Sequence, residues 1–260
     1  MANWRHFYLI RIEFLGFRYH GWQKQPGLRS IHGMVDKTML FILGHDQFRT
    51  LGCGRTDAKV SANDYAFELF LNEPILEEKF LHSFNANLPS DIRAKYIALV
   101  DKDFNIIQQA KTKEYHYYFS SGMKSHPFNA PLIRDFGKSL DIDSMKNAAK
   151  AFEGKHNFKR YVSKPSPDTV FERAIDKVEI VANDIIQGSF TPDRSYILKV
   201  TGEGFMRYQI RLMMGALVDV GRGVWTLEDI RETLQNPDGP QIRNVAPSSG
   251  LILHRVSFEF

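Results

Sequence analysis

The spacing of apolar residues switches between two values along this chain. This switch restricts the possible folds more than any other feature of the sequence. Apolar side chains at 31, 35, 39 and 42 recur every three or four residues, the period of an amphipathic helix. Those at 65, 67, 69 and 71 recur every second residue, the period of a strand with one buried face. The same switch between periods is repeated in the second half of the sequence. The pattern therefore predicts a mixed α+β fold rather than an all-helical or all-strand one.

The predicted elements follow from these periods and from the residues that begin and end them. Ser30 is a candidate helix N-cap with Gly44 as terminator, and Thr226 is placed to cap a second helix. Strands are predicted at 8–14, 48–51, 65–71, 94–100, 114–119, 170–181 and 195–201. Helices are predicted at 31–42, 76–84, 141–152, 205–220 and 227–234, and loops at 121–135 and 161–169.

One segment near the N-terminus has an echo in the second half of the chain. Residues 8–12 match 196–200 in kind, and a Gly-Phe pair follows each segment, at 16–17 and 204–205. Two strands of similar composition would produce such a match by themselves. An ancient duplication of an α+β half would also produce it, and the two halves would then form one continuous sheet with a cleft where they meet.

Composition argues against several classes of protein. No run approaches the roughly 20 apolar residues of a membrane-spanning helix, and the N-terminus lacks the apolar stretch of a secretory signal. Cys53 is the only cysteine, which rules out an internal disulfide and a thiolate-rich zinc site and suits a reducing cytoplasm. The 34 basic and 30 acidic residues leave a net charge of +4, which permits a polyanionic partner without demonstrating one.

The sequence motifs that bind metals and nucleotides are missing. There is no His-x-x-x-His pair, no Gly-x-x-x-x-Gly-Lys phosphate loop and no Gly-x-Ser-x-Gly nucleophile turn. A mechanism without metal or cofactor, built on a carboxylate, is therefore expected. The candidate is Asp57 in the run Gly-Arg-Thr-Asp-Ala at 54–58. Asp57 either forms an Asx-type turn beside a solvated Arg55, or its carboxylate is kept ionised near that guanidinium as a nucleophile or base.

Six sequence blocks, in order along the chain, resemble the TruA family of tRNA pseudouridine synthases. The central block is 54–58, which matches the Gly-Arg-Thr-Asp-Ala catalytic motif of that family. The other five blocks are 21–26, 85–89, 113–117, 204–211 and 246–251. Each block is weak alone, and together they are specific.

The resemblance implies a pseudouridine synthase fold and a redox-neutral reaction. Two similar α/β halves, 1–105 with the catalytic aspartate loop and 106–260, would share a continuous, mostly antiparallel sheet around a central catalytic cleft. The implied reaction isomerises uridine to pseudouridine in the tRNA anticodon stem-loop, at tRNA positions 38–40, without a cofactor. By resemblance, Asp57 is the essential carboxylate, Tyr115 is the active-site tyrosine, and Arg211 is the arginine that pairs with Asp57.

Binding an RNA stem-loop also requires cations and a means of taking the target base out of its stack. Arg55, beside Asp57, is a candidate to occupy the vacated stack or to hold a phosphate. Further RNA-binding candidates are basic residues of predicted loops and polar stretches, namely Arg18, Lys24, Arg29, Lys59, Lys155, Lys159 and Arg160. The resemblance also implies a homodimer, in which one tRNA could touch both subunits.

Several departures from the family pattern fall on the expected substrate surface. Lys59 and Ser61 replace the glycine and histidine that usually follow the catalytic motif, and Lys59 is strained if that position needs a positive φ. At 106–108, Ile-Ile-Gln replaces Ala-Arg-Phe, so that an RNA-facing arginine is lost. Two alternatives therefore stay open, a synthase acting on another RNA site and a catalytically idle RNA-binding relative.

Overall fold

The computed structural model describes residues 4–259, which fold into two compact units. The first unit runs to Lys111 and takes in the C-terminal stretch from Leu253, and the second unit is Thr112–Ile252. Each unit combines helices with a mostly antiparallel sheet, so the predicted α+β class is confirmed. None of the helices in residues 4–259 is long and apolar enough to cross a membrane.

The first unit is built around its first strand. Its elements are β1 (His6–Phe14), α1 (Ile31–Leu43), β2 (Phe48–Gly52), β3 (Ser61–Leu71), α2 (Glu77–Asn87) and β4 (Ile92–Val100). The strand order is β4-β1-β3, β2 also pairs with β3, and all these pairs are antiparallel. Ile10 of β1 lies opposite Phe67 of β3 and Ile97 of β4, and all three side chains are buried.

The second unit packs a sheet against an apolar helix. Its elements are β5 (Ala110–Ser120), β6 (Arg134–Asp135), α3 (Ile142–Ala149), β7 (Gly154–Asn157), β8 (Glu172–Ala182), β9 (Ser195–Gly202), α4 (Gln209–Gly221) and α5 (Leu227–Gln235). The strand order is β5-β9-β8-β7 with antiparallel pairs, and β6 runs parallel to β5. Met213, Met214 and Leu217 make α4 the most buried helix of this unit. A last strand, β10 (Leu251–Phe258), falls mostly in the first unit, beside β3.

The helix boundaries that depend on capping residues agree with prediction. The Ser30 hydroxyl accepts a hydrogen bond from the Gly33 amide at 3.1 Å, and Gly44 ends α1 with φ 74°. Thr226 and Asp229 form a reciprocal capping box at the start of α5. Caps are contacts between residues a few positions apart, so the sequence alone can predict them.

Other boundaries differ from prediction. Helix α4 begins at Gln209 rather than at Phe205, because Tyr208 has φ 66°, a left-handed conformation that cannot continue into a right-handed helix. Helix α3 ends at Ala149 and passes into a 3-10 turn over Lys150–Phe152. The apolar periods do not predict the short strands β6 and β7, nor β10.

The two segments that echo each other in sequence, β1 and β9, are both internal strands with a partner on each side. Strands in general are enriched in β-branched and aromatic residues, which accounts for the match without duplication. Each strand is also followed by its Gly-Phe pair and then by a helix, the common order that a duplication predicts. The order of the elements fits both explanations.

Strand β3 is buried on both faces, whereas its alternation predicts one buried face. Phe67 on one face and Glu68 on the other are both buried, with Glu68 only 1% exposed. The Glu68 carboxylate accepts a hydrogen bond from the backbone of Ile106 and lies near Arg49. Burial nevertheless raises the pKa of Glu68 to about 7, since these contacts only partly replace the lost water.

Glu68 should make the protein less stable as the pH rises. The pKa of Glu68 in the folded protein lies above its unfolded value of 4.5. The contribution of Glu68 to the free energy of unfolding is therefore fully present below pH 4.5 and is lost as the pH rises through about 7. Glu68→Gln should remove up to about 3 kcal/mol of this pH dependence from the free energy of unfolding. Urea unfolding at about pH 5 and about pH 8 measures this pH dependence, and the variant Glu73→Gln, at an exposed position, is the control. Equal pH dependence in the parent and Glu68→Gln would contradict the assignment.

Candidate active site

Asp57 lies in the loop that joins β2 to β3, residues 53–60. The amide of Val60 donates to the carbonyl of Asp57 at 3.2 Å, so the backbone turns directly after the aspartate. Asp57 is half-buried and Arg55 is exposed. The carboxylate is therefore partly shielded from water at a sharp turn, with a guanidinium on the solvent side of the same loop.

Segment 16–22, which follows β1, braces this loop. The amide of Lys59 donates to the carbonyl of Tyr19 at 2.9 Å. Gly21 has φ 85°, and a Cβ atom at this position would lie 2.2 Å from the carbonyl oxygen of Thr56. Only glycine tolerates both the positive φ and the close approach, which gives a physical reason for the glycine in this sequence block.

Lys59 has the left-handed backbone that the family's glycine suggested. Its φ is 67°, so a lysine here strains the backbone close to Asp57. The side chain is exposed, and its ammonium lies 5.8 Å from the centre of the Phe17 ring, at the outer limit of a cation–π contact. The lysine thus adds a cation to the loop and strains its backbone.

Exchanging Lys59 for glycine and for alanine separates the backbone strain from the side chain. Both substitutions remove the ammonium, and only glycine relieves the positive φ. We expect the free energy of unfolding of Lys59→Gly to exceed that of Lys59→Ala by about 1 kcal/mol, the reverse of the usual order of these residues. Equilibrium urea unfolding gives both values, and a more stable Lys59→Ala would argue against a strained loop.

Tyr115 lies on β5 of the second unit, opposite Val200 of β9, and is half-buried. Its ring packs edge-to-face against Phe205, with ring centres 5.5 Å apart and planes at 89°. Tyr117, on the same face of β5, is buried and donates to the Pro247 carbonyl at 2.7 Å. Burial raises the pKa of Tyr117, so this hydroxyl stays protonated and serves as a donor.

Arg211 lies in the first turn of α4. Its Nε donates to the carbonyl of Ala246 at 2.8 Å, and the Ala246 amide donates to the Arg211 carbonyl at 3.0 Å. Its guanidinium carbon lies 4.3 Å from the centre of the Tyr208 ring. The blocks 204–211 and 246–251, distant in sequence, therefore form one feature that orients this guanidinium.

Two of the three predicted catalytic residues share one supporting loop. Phe205 contacts Tyr115, and Tyr208 contacts Arg211, and both supports stand in the loop that leads from β9 into α4. Asp57 belongs to the first unit, and its pairing with Arg211 stays a prediction. Sequence reasoning did not single out Phe205 and Tyr208 as supports, although both stand in a block that resembles the family.

Two basic candidates of the first unit are paired with carboxylates. The Arg18 guanidinium donates twice to Asp91, at 2.6 and 3.0 Å, and Lys24 is paired with Asp36. The Arg18 and Lys24 side chains are 57% and 53% exposed. Exposed ion pairs contribute little to stability, so either cation can exchange its carboxylate for a phosphate at small free-energy cost.

Three other candidates of the first unit have no carboxylate partner among its described residues. Arg55 and Lys59 are exposed in the loop of Asp57. Arg29 is also exposed, and its guanidinium carbon lies 4.9 Å from the centre of the Tyr19 ring. Part of the uncompensated positive charge of this unit therefore lies in the loop that carries Asp57.

The basic candidates of the second unit are all paired within it. Lys155 and Lys159 form ion pairs with acidic residues at 3.3 and 2.7 Å. Arg160 differs, since it is only 5% exposed. It donates to the Pro240 carbonyl at 2.8 Å and to Glu232 of α5 at 2.7 Å. Arg160 thus holds α5 to the 3-10 turn in which it lies.

Comparisons with known proteins identify the family. Residues 148–259 match the family model described as tRNA pseudouridine synthase. A protein of Pseudothermotoga lettingae named tRNA pseudouridine synthase A is 32% identical over 253 residues, 96% of this chain and 99% of that protein. Proteins of the same name from Thermosipho africanus and Aquifex aeolicus are 33% and 30% identical over 96% of this chain, and the match covers 99% and 98% of their lengths.

These relatives are matched over nearly their whole lengths, and the resemblance first seen in six short blocks extends through both units. The blocks supply the residues of the Asp57 loop, of the Gly21 segment and of the supports around Arg211. The chain belongs to the tRNA pseudouridine synthase A family.

Proposed function

We propose that this protein isomerises uridine to pseudouridine in the anticodon stem-loop of tRNA. Its relatives carry the name tRNA pseudouridine synthase A. The observation that carries the proposal is the loop of Asp57, whose backbone is fixed by the Tyr19 carbonyl and by the close approach of Gly21. A catalytic carboxylate requires such preorganisation, and a solvated surface turn does not.

The reaction breaks the bond between N1 of uracil and C1′ of the ribose, rotates the base and joins C5 to the same C1′. C5 loses a proton and N1 gains one, so the atoms balance without water, oxidant or reductant. We assign Asp57 the role of the carboxylate that acts on the nucleotide as nucleophile or base. Arg211 keeps that carboxylate ionised, and Tyr115 stacks on the uracil face, a contact worth about 1–3 kcal/mol.

The target uridine is stacked in its stem-loop and must be turned out to reach the carboxylate. Arg55, exposed beside Asp57, is assigned to the vacated stack or to a flanking phosphate. The remaining phosphate contacts are assigned to Arg18, Lys24, Arg29, Lys59, Lys155 and Lys159. Arg160 is assigned to the support of α5 instead, because its side chain is buried and its Nε and one terminal nitrogen already donate to Pro240 and Glu232.

We further propose that the two halves, 1–105 with the aspartate loop and 106–260, complete one catalytic cleft, and that the protein acts in the cytoplasm as a homodimer. A net charge of +4 is small for a protein that binds RNA, and dimerisation would double this net charge. Sedimentation at two protein concentrations tests the dimer.

One experiment separates this function from the two alternatives. Purified protein is incubated with unmodified tRNA and with total RNA from a strain that lacks the gene, and pseudouridine is then mapped. Product confined to the anticodon stem-loop supports the proposal, and product elsewhere supports a synthase for another RNA site. The absence of product on every RNA at high protein concentration would leave only an idle RNA-binding relative.

Binding to tRNA should weaken steeply as salt rises, because each phosphate contact releases condensed counterions. Arg55→Ala should lower the slope of log affinity against log salt by about 1. Lys146→Ala should leave the slope unchanged, because Lys146 lies in α3 and is not among the residues assigned to phosphate contacts. Fluorescence anisotropy with a labelled stem-loop at several KCl concentrations measures the slopes, and a flat response in the parent would count against phosphate binding.

A further inference from the structure

A buried tyrosine that none of the six sequence blocks contains also holds the loop of Asp57. Tyr65 of β3 is 1% exposed, and its hydroxyl donates to the Gly54 carbonyl at 2.5 Å. Gly54 precedes Asp57, whereas Lys59, whose amide is held by Tyr19, follows it. Hydrogen bonds on both sides of the carboxylate therefore restrict the loop backbone.

The surroundings of Tyr65 fix the place of its hydroxyl. The Tyr65 ring centre lies 4.2 Å from that of Trp22, which is itself 2% exposed. Gly52 passes close to both, since a Cβ there would lie 2.1 Å from the Tyr65 hydroxyl and 2.5 Å from the indole nitrogen of Trp22. Trp22 in turn stacks on His32 of α1, with ring planes 10° apart. The hydroxyl is thus located by β2, β3 and α1 together.

We propose that Tyr65 is a positioning residue that sets the reach of Asp57 towards the nucleotide, an inference that rests on the proposed function. At 1% exposure Tyr65 cannot touch the substrate, and it acts through the Gly54 carbonyl. Losing the hydroxyl would leave that carbonyl short of a donor and would free the start of the turn. A displacement of about 1 Å at a reacting group lowers a rate by about 100-fold.

Tyr65→Phe removes the hydroxyl and keeps the ring against Trp22. We expect the single-turnover rate of pseudouridine formation to fall by about 10-fold or more, with unchanged tRNA affinity. Tyr8→Phe is the matched control, because Tyr8 is buried in the same unit and its hydroxyl accepts from the Ile75 amide at 3.1 Å, outside the loop. It should lose comparable stability and keep its rate. All assays are run well below the lowest melting temperature of the set.

An unchanged rate in Tyr65→Phe, or an equal loss of rate in Tyr8→Phe, would overturn the proposal. A change confined to tRNA affinity would also overturn it, because it would place Tyr65 in binding rather than in positioning. If the parent protein itself forms no pseudouridine on any RNA, the proposed function fails and this inference fails with it. The parent assay therefore distinguishes the two failures.

Discussion

Replacing Asp57 with asparagine should lower the single-turnover rate of pseudouridine formation by about 10³-fold or more. Asparagine has the shape of aspartate without its negative charge, so it can neither attack the nucleotide nor accept a proton from it. Affinity for tRNA should change little, because it depends mainly on contacts between phosphates and cations such as Arg55 and Lys59. A single-turnover assay and fluorescence anisotropy measure the two quantities separately.

Asp46→Asn is the control for this substitution. Asp46 is an exposed aspartate of the first unit outside the loop, so its replacement removes the same charge without altering the proposed site. It should retain the parent rate and affinity. Comparable turnover in Asp57→Asn and Asp46→Asn would refute the catalytic role of Asp57.

Gly21→Ala should produce the second largest loss, about 100-fold in rate, although Gly21 contributes no side chain to the reaction. The new Cβ would lie 2.2 Å from the Thr56 carbonyl oxygen, so the loop must move away and carry Asp57 with it. Alanine at φ 85° also strains the backbone by about 1–2 kcal/mol. Thermal unfolding and single-turnover rates are measured together on the same preparation.

Gly27→Ala separates the two effects of the Gly21 substitution. Gly27 also has a positive φ, 72°, and a Cβ there would meet nothing within 4 Å. This control should lose similar backbone stability and keep the parent rate. Equal rates in the two variants would show that the contact between Gly21 and Thr56 does not place the aspartate.

Features that depend on neighbours in sequence were the ones that residue patterns predicted well. The start and end of α1 follow from Ser30 and Gly44, whose caps are completed within the same helix. The Gly-Arg-Thr-Asp-Ala run likewise marks the loop of Asp57, and the left-handed Lys59 follows from the family's glycine at that position. In these cases the residue type restricts the backbone directly.

Features that depend on distant segments were not predictable in this way. Glu68 is buried, and its carboxylate accepts a hydrogen bond from the backbone of Ile106, far along the chain. Tyr65 looks like any apolar residue of an alternating strand, and only packing against Trp22 and Gly52 brings its hydroxyl to the loop. The hydrogen bond from Arg211 to the Ala246 carbonyl likewise joins two segments that are far apart in sequence.

The return of the final strand to the first unit also affects how the protein is made. The ribosome completes the chain as far as Lys111 first, yet most of β10 emerges only after Thr112–Ile252 has been synthesised. Translation proceeds at roughly 5–20 residues per second, so β3 is without its neighbour β10 for on the order of ten seconds. An uncovered strand edge can pair with strands of other chains. The growing polypeptide is thus most open to aggregation before its last strand is translated, and chaperones have most to contribute in that interval.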